Sequence, residues 1–323
     1  MILTVTLNAA IDRTLAVPNF RLGRRHRAVE QTAIAGGKGV NVARALRSLG
    51  RPVLATGAVG GGTGARIIEF LGHEEIPNDF VHVTDESRMS TAVIDPTDGV
   101  TTEINERGPA LTGSEEAQVT ERILYLAQGA RICVLCGSLP RGLPVDLYGR
   151  LIEALRKNGV VTVLDCEGEP LRIGTRAQPD LVAPNVTEAE ELAGHEFADE
   201  DDRLNGVREI VAMGARDAII TYEAGCVALL GGDSAERRAL RVSIEPREVV
   251  SKIGAGDAFL AGYVAGMYDG WSGEDCVRFA TACGAESVRH VGAGILDARE
   301  AERLMAQVRV ERLEADIPSV SAT

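Results

Sequence analysis

Aromatic residues are scarce in this chain: six Phe, five Tyr and one Trp among 323 residues. Surfaces that stack single-stranded bases are built from such rings, so the composition speaks against one. Lysine is scarcer still, at positions 38, 157 and 252 only, and the formal net charge is −13. Nucleic-acid binding needs basic surface, so nucleic acid is not expected as a partner. Small phosphorylated ligands, which need only a few local cations, remain open. No apolar run reaches the roughly 20 residues of a membrane span. The opening MILTVTLNAAIDR has no basic leader and no small-residue cleavage site. The expectation is a cytoplasmic protein with no membrane partner. A Walker A loop is also missing: Gly39, not Ser or Thr, follows the single Gly-Lys pair at Gly37-Lys38. P-loop kinases are thereby excluded.

The six cysteines, at 133, 136, 166, 226, 276 and 283, sit mostly in apolar runs rather than at framework spacings. Cys133 and Cys136 form a C-x-x-C inside ICVLC, which reads as a strand. Alternation then points them to opposite faces. No second such pair and no paired His supports zinc.

What is present is ordinary for a soluble globular protein: 45% apolar and 25% charged residues. The length allows one large α/β domain or two smaller ones. Ile2–Leu7 is a continuous apolar and β-branched run, the mark of a buried strand. Asn8 ends it, and Asp12 is expected in the loop beyond. A carboxylate past the C-terminal end of a core strand is where open α/β sheets bind ligands; it can equally cap a turn. Arg21–Arg27, read RLGRRHR, fits a solvated surface. Next, AGGKGVNVA carries three glycines, Lys38 and Asn41 into a helical pattern ending at Gly50. Strand Val53–Val59 leads to Gly60-x-Gly62-x-x-Ala65, a loose dinucleotide fingerprint. It lacks the acid that should end a second strand.

Met89–Asp95 and Val100–Asn105 are short alternating runs joined by Pro96-Thr97-Asp98-Gly99, a hairpin signal. Arg88 stands at the hairpin's base. From Glu115 onward helices and strands alternate, with strands at Ile132–Cys136, Val160–Asp165, Leu181–Ala183, Ala218–Tyr222 and Val227–Leu230. That rhythm predicts a mostly parallel sheet covered by helices on both faces. Helices are expected near Ala255–Asp269, Gly273–Val288 and Ala298–Leu313. Asn185 and Glu188 follow a strand across Pro184. They fit helix-start chemistry, and they also fit indirect help to a divalent cation on a nucleotide.

The chain is organised around VVSKIGAGDAFLAGYVAG, Val249–Gly266. A Gly-Ala-Gly-Asp turn opens directly into an apolar helix. Its first N–H groups lack partners and, with the helix dipole, make an anion site. Asp257 would repel an anion there. It fits a general base that takes a proton from a hydroxyl while the turn holds a phosphoryl group. It also fits an N-cap or first-turn residue.

Taken together, AGGKGVNVARALRSLG and IGAGDAFLAGYVAG resemble the two signatures of the ribokinase-like (PfkB) sugar kinase family, in the right order and separation. TVTLNAAID, LGRRHR, TEINERGP, GSLPRGLP and LDCEGEPL resemble its hexose-phosphate branch, that of 1-phosphofructokinase and tagatose-6-phosphate kinase. The resemblance spans Ile2 to about Gly294. It implies a Rossmann-like α/β core with a small β-sheet lid: a single domain over 1–313, lid segments near 13–35 and 87–106, and a homodimer formed through the lid. The last residues, 314–323, are expected to be a disordered tail, as chain ends commonly are.

It also implies an ATP-dependent phosphotransferase with Mg²⁺, fructose 1-phosphate being the foremost acceptor. Tagatose 6-phosphate, fructose 6-phosphate, an unphosphorylated sugar or nucleoside, or mere sugar-phosphate binding are the alternatives. In residues, it implies Asp257 as base and Gly254, Ala255 and Gly256 as anion hole. Asp12, Gly37 and Asn41 would hold sugar hydroxyls. Lys38, Arg88, Arg27 and Arg107 would bind the sugar's phosphate. Asn185 and Glu188 would organise Mg²⁺, and Asn185, Thr221, Gly225, Ser251, Gly254 and Gly256 would line the nucleotide site. The chain departs from the family pattern at Ala9, Ala183, Tyr222–Cys226 and Ser251-Lys252, mostly on the nucleotide side.

Overall fold

The computed structural model describes residues 1–232 and 237–313. Runs with apolar residues on both faces become strands buried on both faces. In chain order the elements are β1 (Ile2–Thr6), β2 (Ala10–Ala16), β3 (Glu30–Gly36), α1 (Lys38–Ser48), β4 (Val53–Gly60), α2 (Gly61–His73), β5 (Asn78–Val83), β6 (Arg88–Ile94), β7 (Thr101–Asn105), α3 (Gly113–Ala127), β8 (Ile132–Cys136) and α4 (Leu147–Lys157). There follow β9 (Val161–Asp165), α5 (Gly168–Arg176), β10 (Leu181–Val182), α6 (Val186–Ala193), α7 (Glu200–Met213), β11 (Asp217–Tyr222), β12 (Gly225–Leu230), β13 (Arg238–Ser243), α8 (Ala255–Asp269), α9 (Gly273–Ser287), α10 (Ala298–Met305) and β14 (Arg309–Leu313).

Ten strands form one sheet in the order β14-β13-β12-β11-β10-β9-β8-β1-β4-β5. The stretch from β11 to β5 is parallel, and β12, β13 and β14 are added antiparallel. Alternation divides the side chains between two cores. One is packed by α1, α2, α8, α9 and α10, the other by α3 to α7. Cys136 enters the first and Cys133 the second, so the C-x-x-C pair does face both ways. From β1 the chain builds to β4 and β5 on one side and to β8 and β9 on the other. The crevice between β1 and β8 is therefore a topological switch point, where open α/β sheets bind ligands.

A separate four-stranded sheet, in the order β3-β2-β6-β7, stands at that crevice. Its hairpin turn is tied by Gly99 N–H donating to Asp95 O at 2.9 Å. Asp95 also accepts from the backbone N–H groups of Asn19 and Phe20, holding the long β2–β3 connection. The basic run at Arg21–Arg27 lies in that connection and is mostly exposed.

Two expectations fail. Asp12 is not in a loop: it lies within β2, paired with Ile34 on β3 and Ser90 on β6. Its neighbours in sequence are too polar to read as a core strand, and the small sheet needs only a half-covered face. The helix expected over Ala298–Leu313 ends at Met305. Arg309–Leu313 is then an edge strand on β13, with Val310 opposite Val242. A five-residue edge strand exposes one face, so its composition imitates a solvated helix. The tail at 314–323 lies outside the described residues. Among those residues, no helix is long and apolar enough to cross a membrane.

Candidate active site

A cavity of about 820 Å³ opens between the inner face of the small sheet and the C-terminal ends of β1, β8 and β9. That size lies within the roughly 300–1,000 Å³ of small-molecule sites. The small sheet contributes Asp12 and Ser90, the switch point contributes Asn8 and Ser138, and α1 contributes Lys38 and Asn41. Gly254 and Ser251 close the far wall.

The Gly254 turn is built as its residues dictate. Gly254 takes φ +82° at the start of α8, a conformation that L side chains rarely adopt. A Cβ there would fall 2.5 Å from Ala293 Cα, so only glycine lets the two backbones meet. Gly254 is thus the N-cap of α8, and Asp257 makes no capping hydrogen bond. Asp257 is therefore not the N-cap, but it does lie in the first turn of α8. Its carboxylate is 7% exposed and accepts instead from Asn41 Nδ2 at 2.8 Å. Burial, then the charge of Asp165, push its pKa up to about 7, against the opposing pull of Lys38 and the Asn41 hydrogen bond. A carboxylate so tuned can accept a proton near neutral pH.

Lys38 is the first residue of α1, after Gly37 at φ +102°. Its ammonium donates to Asp165 Oδ1 at 2.8 Å and to Glu188 Oε1 at 3.1 Å. Burial disfavours the charge, but Asp165 and Glu188 outweigh it and hold the group well above its ordinary range. Asp165, at the end of β9, was not singled out from the sequence. Its signal was the one applied to Asp12, a carboxylate at the end of a core strand, and it lay inside the LDCEGEPL stretch.

Asn185 and Glu188 form a capping box on α6. Asn185 Oδ1 accepts from Glu188 N–H at 3.0 Å, and Glu188 Oε2 accepts from Asn185 N–H at 2.9 Å. The helix-start reading therefore holds for those atoms, and Glu188 Oε1 is left to meet Lys38. Burial raises the Glu188 pKa, with Lys38 opposing.

Asp12 faces the cavity above Gly36, where a Cβ would clash with its carboxyl carbon at 2.1 Å. Burial raises its pKa against the charges of Arg88 and Arg44. Arg88 lines the cavity and donates from Nε to Asn8 O at 3.1 Å. Burial lowers its pKa, opposed by Asp12.

The remaining expected residues divide. Ser251 lines the cavity. Ala255, Gly256, Asn185, Glu188, Thr221 and Gly225 lie outside its wall, and so does Asp257, which is buried just behind Asn41 and Gly254. Thr221 is bridged to Asn185 at the end of β11, and Gly225 is held against Val242 O in β12. Arg27 and Arg107 are exposed and do not reach the wall; only Arg107's backbone carbonyl takes part, accepting from Asn8 Nδ2 at 3.3 Å. The glycines at 60–62 do not form a dinucleotide site. The N–H groups of Gly62 and Thr63 are taken by the Glu86 carboxylate, at 3.2 and 2.5 Å.

The chain is similar to known proteins over nearly its whole length. A family model described as pfkB family carbohydrate kinase matches residues 3–299. A protein named 1-phosphofructokinase from Borreliella burgdorferi is 30% identical over 311 residues, covering 96% of this chain and 98% of that one. A possible 1-phosphofructokinase from Thermotoga maritima superposes with a TM-score of 0.86 at 26% identity, over 97% of this chain and 100% of that one. Phosphofructokinase-2 from Escherichia coli, solved in complex with fructose-6-phosphate, superposes with a TM-score of 0.85 at 28% identity, over 94% and 98%.

Proposed function

The chain belongs to the pfkB family of carbohydrate kinases, and on that premise we propose that it transfers the γ-phosphoryl group of ATP to a hydroxyl of a phosphorylated hexose. Fructose 1-phosphate is the acceptor best supported, through the relative that bears the name 1-phosphofructokinase. The observation that carries the reading is Asp257: a buried carboxylate tuned to about 7, held by Asn41, at the opening of α8.

In this reading Asp257 accepts the proton of the attacking hydroxyl. The N–H groups of the Gly254–Gly256 turn offset charge on the transferring phosphoryl group. Asp12, Gly37 and Asn41 hold the sugar hydroxyls. Arg88 anchors the phosphate already on the sugar, a role its place on the cavity wall supports; Arg27 and Arg107 are too exposed to share it without movement. Lys38 spans the two halves, reaching across to Asp165 and Glu188. Positioning and electrostatics supply most of the acceleration in such transfers.

Asn185, Thr221, Gly225 and Ser251 remain the proposed nucleotide side. Asp165 and Glu188 would offer hard oxygens to a Mg²⁺ carried in on the nucleotide, with Lys38 bridging the two carboxylates here; among the described residues no three such side chains form a metal site of their own. Magnesium on nucleotides is held by one or two carboxylates rather than an all-protein cage. When bound it would neutralise phosphate charge.

We propose further that residues 1–313 act as one domain, that the small sheet serves as its lid, and that two copies associate through it. Exposed Val29, Val100 and Ile104 on and beside the small sheet support the association. Light scattering on the purified protein reads its mass directly, and a monomer at all concentrations refutes it.

The test of function is Mg-ATP turnover on fructose 1-phosphate, fructose 6-phosphate, tagatose 6-phosphate, fructose and ribose. Turnover confined to one sugar phosphate supports the reading. Preference for a neutral sugar would leave Arg88 unexplained and favour a simple sugar kinase. Stabilisation by sugar phosphate without any turnover would mark a binding protein.

A further inference from the structure

Arg44 lies one turn beyond Asn41 on α1 and is 7% exposed. A guanidinium has five N–H donors in one plane. Here all five meet an acceptor. Nε and Nη2 grip the Glu74 carboxylate past the end of α2, at 2.5 and 3.0 Å. Nη2 also donates to Ala35 O at 2.5 Å, just before the Gly36-Gly37 turn. Nη1 donates to Asn41 Oδ1 at 3.1 Å and to Ala293 O at 2.8 Å. An ion pair tying α1 to α2 would need only the first two. The other three go to parts of the active site.

The chemistry of these contacts is directional. A guanidinium only donates and a carboxylate only accepts, so an amide lying between them has one orientation open to it. Arg44 takes the Asn41 oxygen, and the Asn41 nitrogen is thereby turned to Asp257. The second contact works on the other side of the turn. Ala293 is the residue against which Gly254 packs, and Gly294 lies so close to Asn41 O that a Cβ would fall 2.2 Å from it.

We propose that Arg44 is a positioning residue for the phosphoryl-transfer site: one guanidinium fixes the Asn41 amide against Asp257 and the Ala293 peptide against the Gly254 turn. It touches neither substrate nor reacting atoms. The inference rests on Asp257 being the base, but the contact it invokes can be measured without turnover.

The experiment is a ¹³C-carboxyl NMR titration of Asp257, assigned with Asp257→Asn. It compares wild type, Asn41→Ala, Arg44→Met/Glu74→Met, and the triple variant combining them. Replacing both Arg44 and Glu74 keeps the local net charge and avoids leaving the half-buried Glu74 carboxylate unpaired. The groups facing Asp257 are Lys38 and Asn41 from α1, Asp165 from β9, Asp12 from β2 and Cys136 from β8, and of these only Asn41 is changed.

Asn41→Ala removes a donor to the charged form and raises the midpoint by about one pH unit. The Arg44→Met/Glu74→Met variant raises it by a similar amount, and the triple variant adds nothing. Arg44→Lys, one ammonium facing the same acceptors, falls between. In each variant the acid limb of kcat/KM follows the NMR midpoint.

An unmoved midpoint in Arg44→Met/Glu74→Met, or shifts that add in the triple variant, overturns the proposal. If the methionine variant does not fold, a wild-type midpoint in Arg44→Lys overturns it equally. Turnover reads the premise separately: a kinase reading that fails shows as wild type silent on every acceptor, not as an unmoved midpoint in an active enzyme.

Discussion

Lys38 Nζ donates to Glu188 Oε1 at 3.1 Å across 150 positions of sequence. One residue opens α1 beside the sugar-side glycines, and the other sits in the first turn of α6 on the proposed nucleotide side. The contact joins the two halves of the site before any ligand arrives. Glu188→Gln keeps the capping hydrogen bonds but removes the charge. Steady-state kinetics should show kcat/KM for Mg-ATP reduced about 10- to 100-fold, the usual scale for a group orienting a metal site. An unchanged value would confine Glu188 to its capping box.

Arg88 is the one cavity-wall arginine in the proposed phosphate set. Arg88→Ala should raise KM for the sugar phosphate by about 10- to 100-fold, the worth of a charge-assisted hydrogen bond. Weak activity on unphosphorylated fructose should not change. Parallel loss on both acceptors would mean that Arg88 braces Asn8 rather than binds phosphate.

Gly254→Ala places a Cβ against Ala293 at a positive φ. The strain costs on the order of 1–3 kcal/mol. Thermal melting should register that loss, and kcat should fall along with it because the turn's N–H groups shift. A variant with wild-type kcat would remove the turn from the chemistry.

Burial of Asp257 has a stability cost with a definite sign. Its pKa is about 7 in the folded protein, against 3.8 for an ordinary aspartate such as the unfolded chain presents. Between those values the folded state holds a proton that the unfolded state has released. Stability contributed by this group is therefore lost as pH rises from about 4 to about 7, and stays lost above. Asp257→Asn should raise Tm at pH 8 and change it little at pH 4. The gain should be about 2 to 4 °C for each kcal/mol relieved. Equal effects at both pH values would mean that the carboxyl is not perturbed.

Much of the fold was legible because the local signals were unopposed. β8 could be read to the residue, since Ile132–Cys136 is apolar throughout and buried on both faces. α8 could be read as closely, because Gly254 and Gly270 bound it with positive φ at each end. Arg309–Leu313 misled because an edge strand with charged residues differs little from a helix surface until its partner is known. Asp12 misled because the small sheet lies half open and its strands carry little apolar pattern.

The site was legible as a set of residues but not as contacts. Asn41 and Asp257 are 216 positions apart, and only the packing of α1 against α8 brings them together. Arg27 and Arg107 looked equivalent to Arg88 by charge, yet only Arg88 reaches the wall. Arg44 offered no local signal, since an arginine inside a helix is ordinary until its five acceptors are seen.

The central claim is that Asp257 takes the proton. Its most direct test is kcat of Asp257→Asn against wild type at saturating Mg-ATP and fructose 1-phosphate, with sugar-phosphate affinity measured by calorimetry. The account predicts a fall of about 10²- to 10⁴-fold in kcat, with affinity kept within a few-fold. Turnover close to wild type would contradict it, and the base would have to be sought among the carboxylates that line the cavity, Asp12 first.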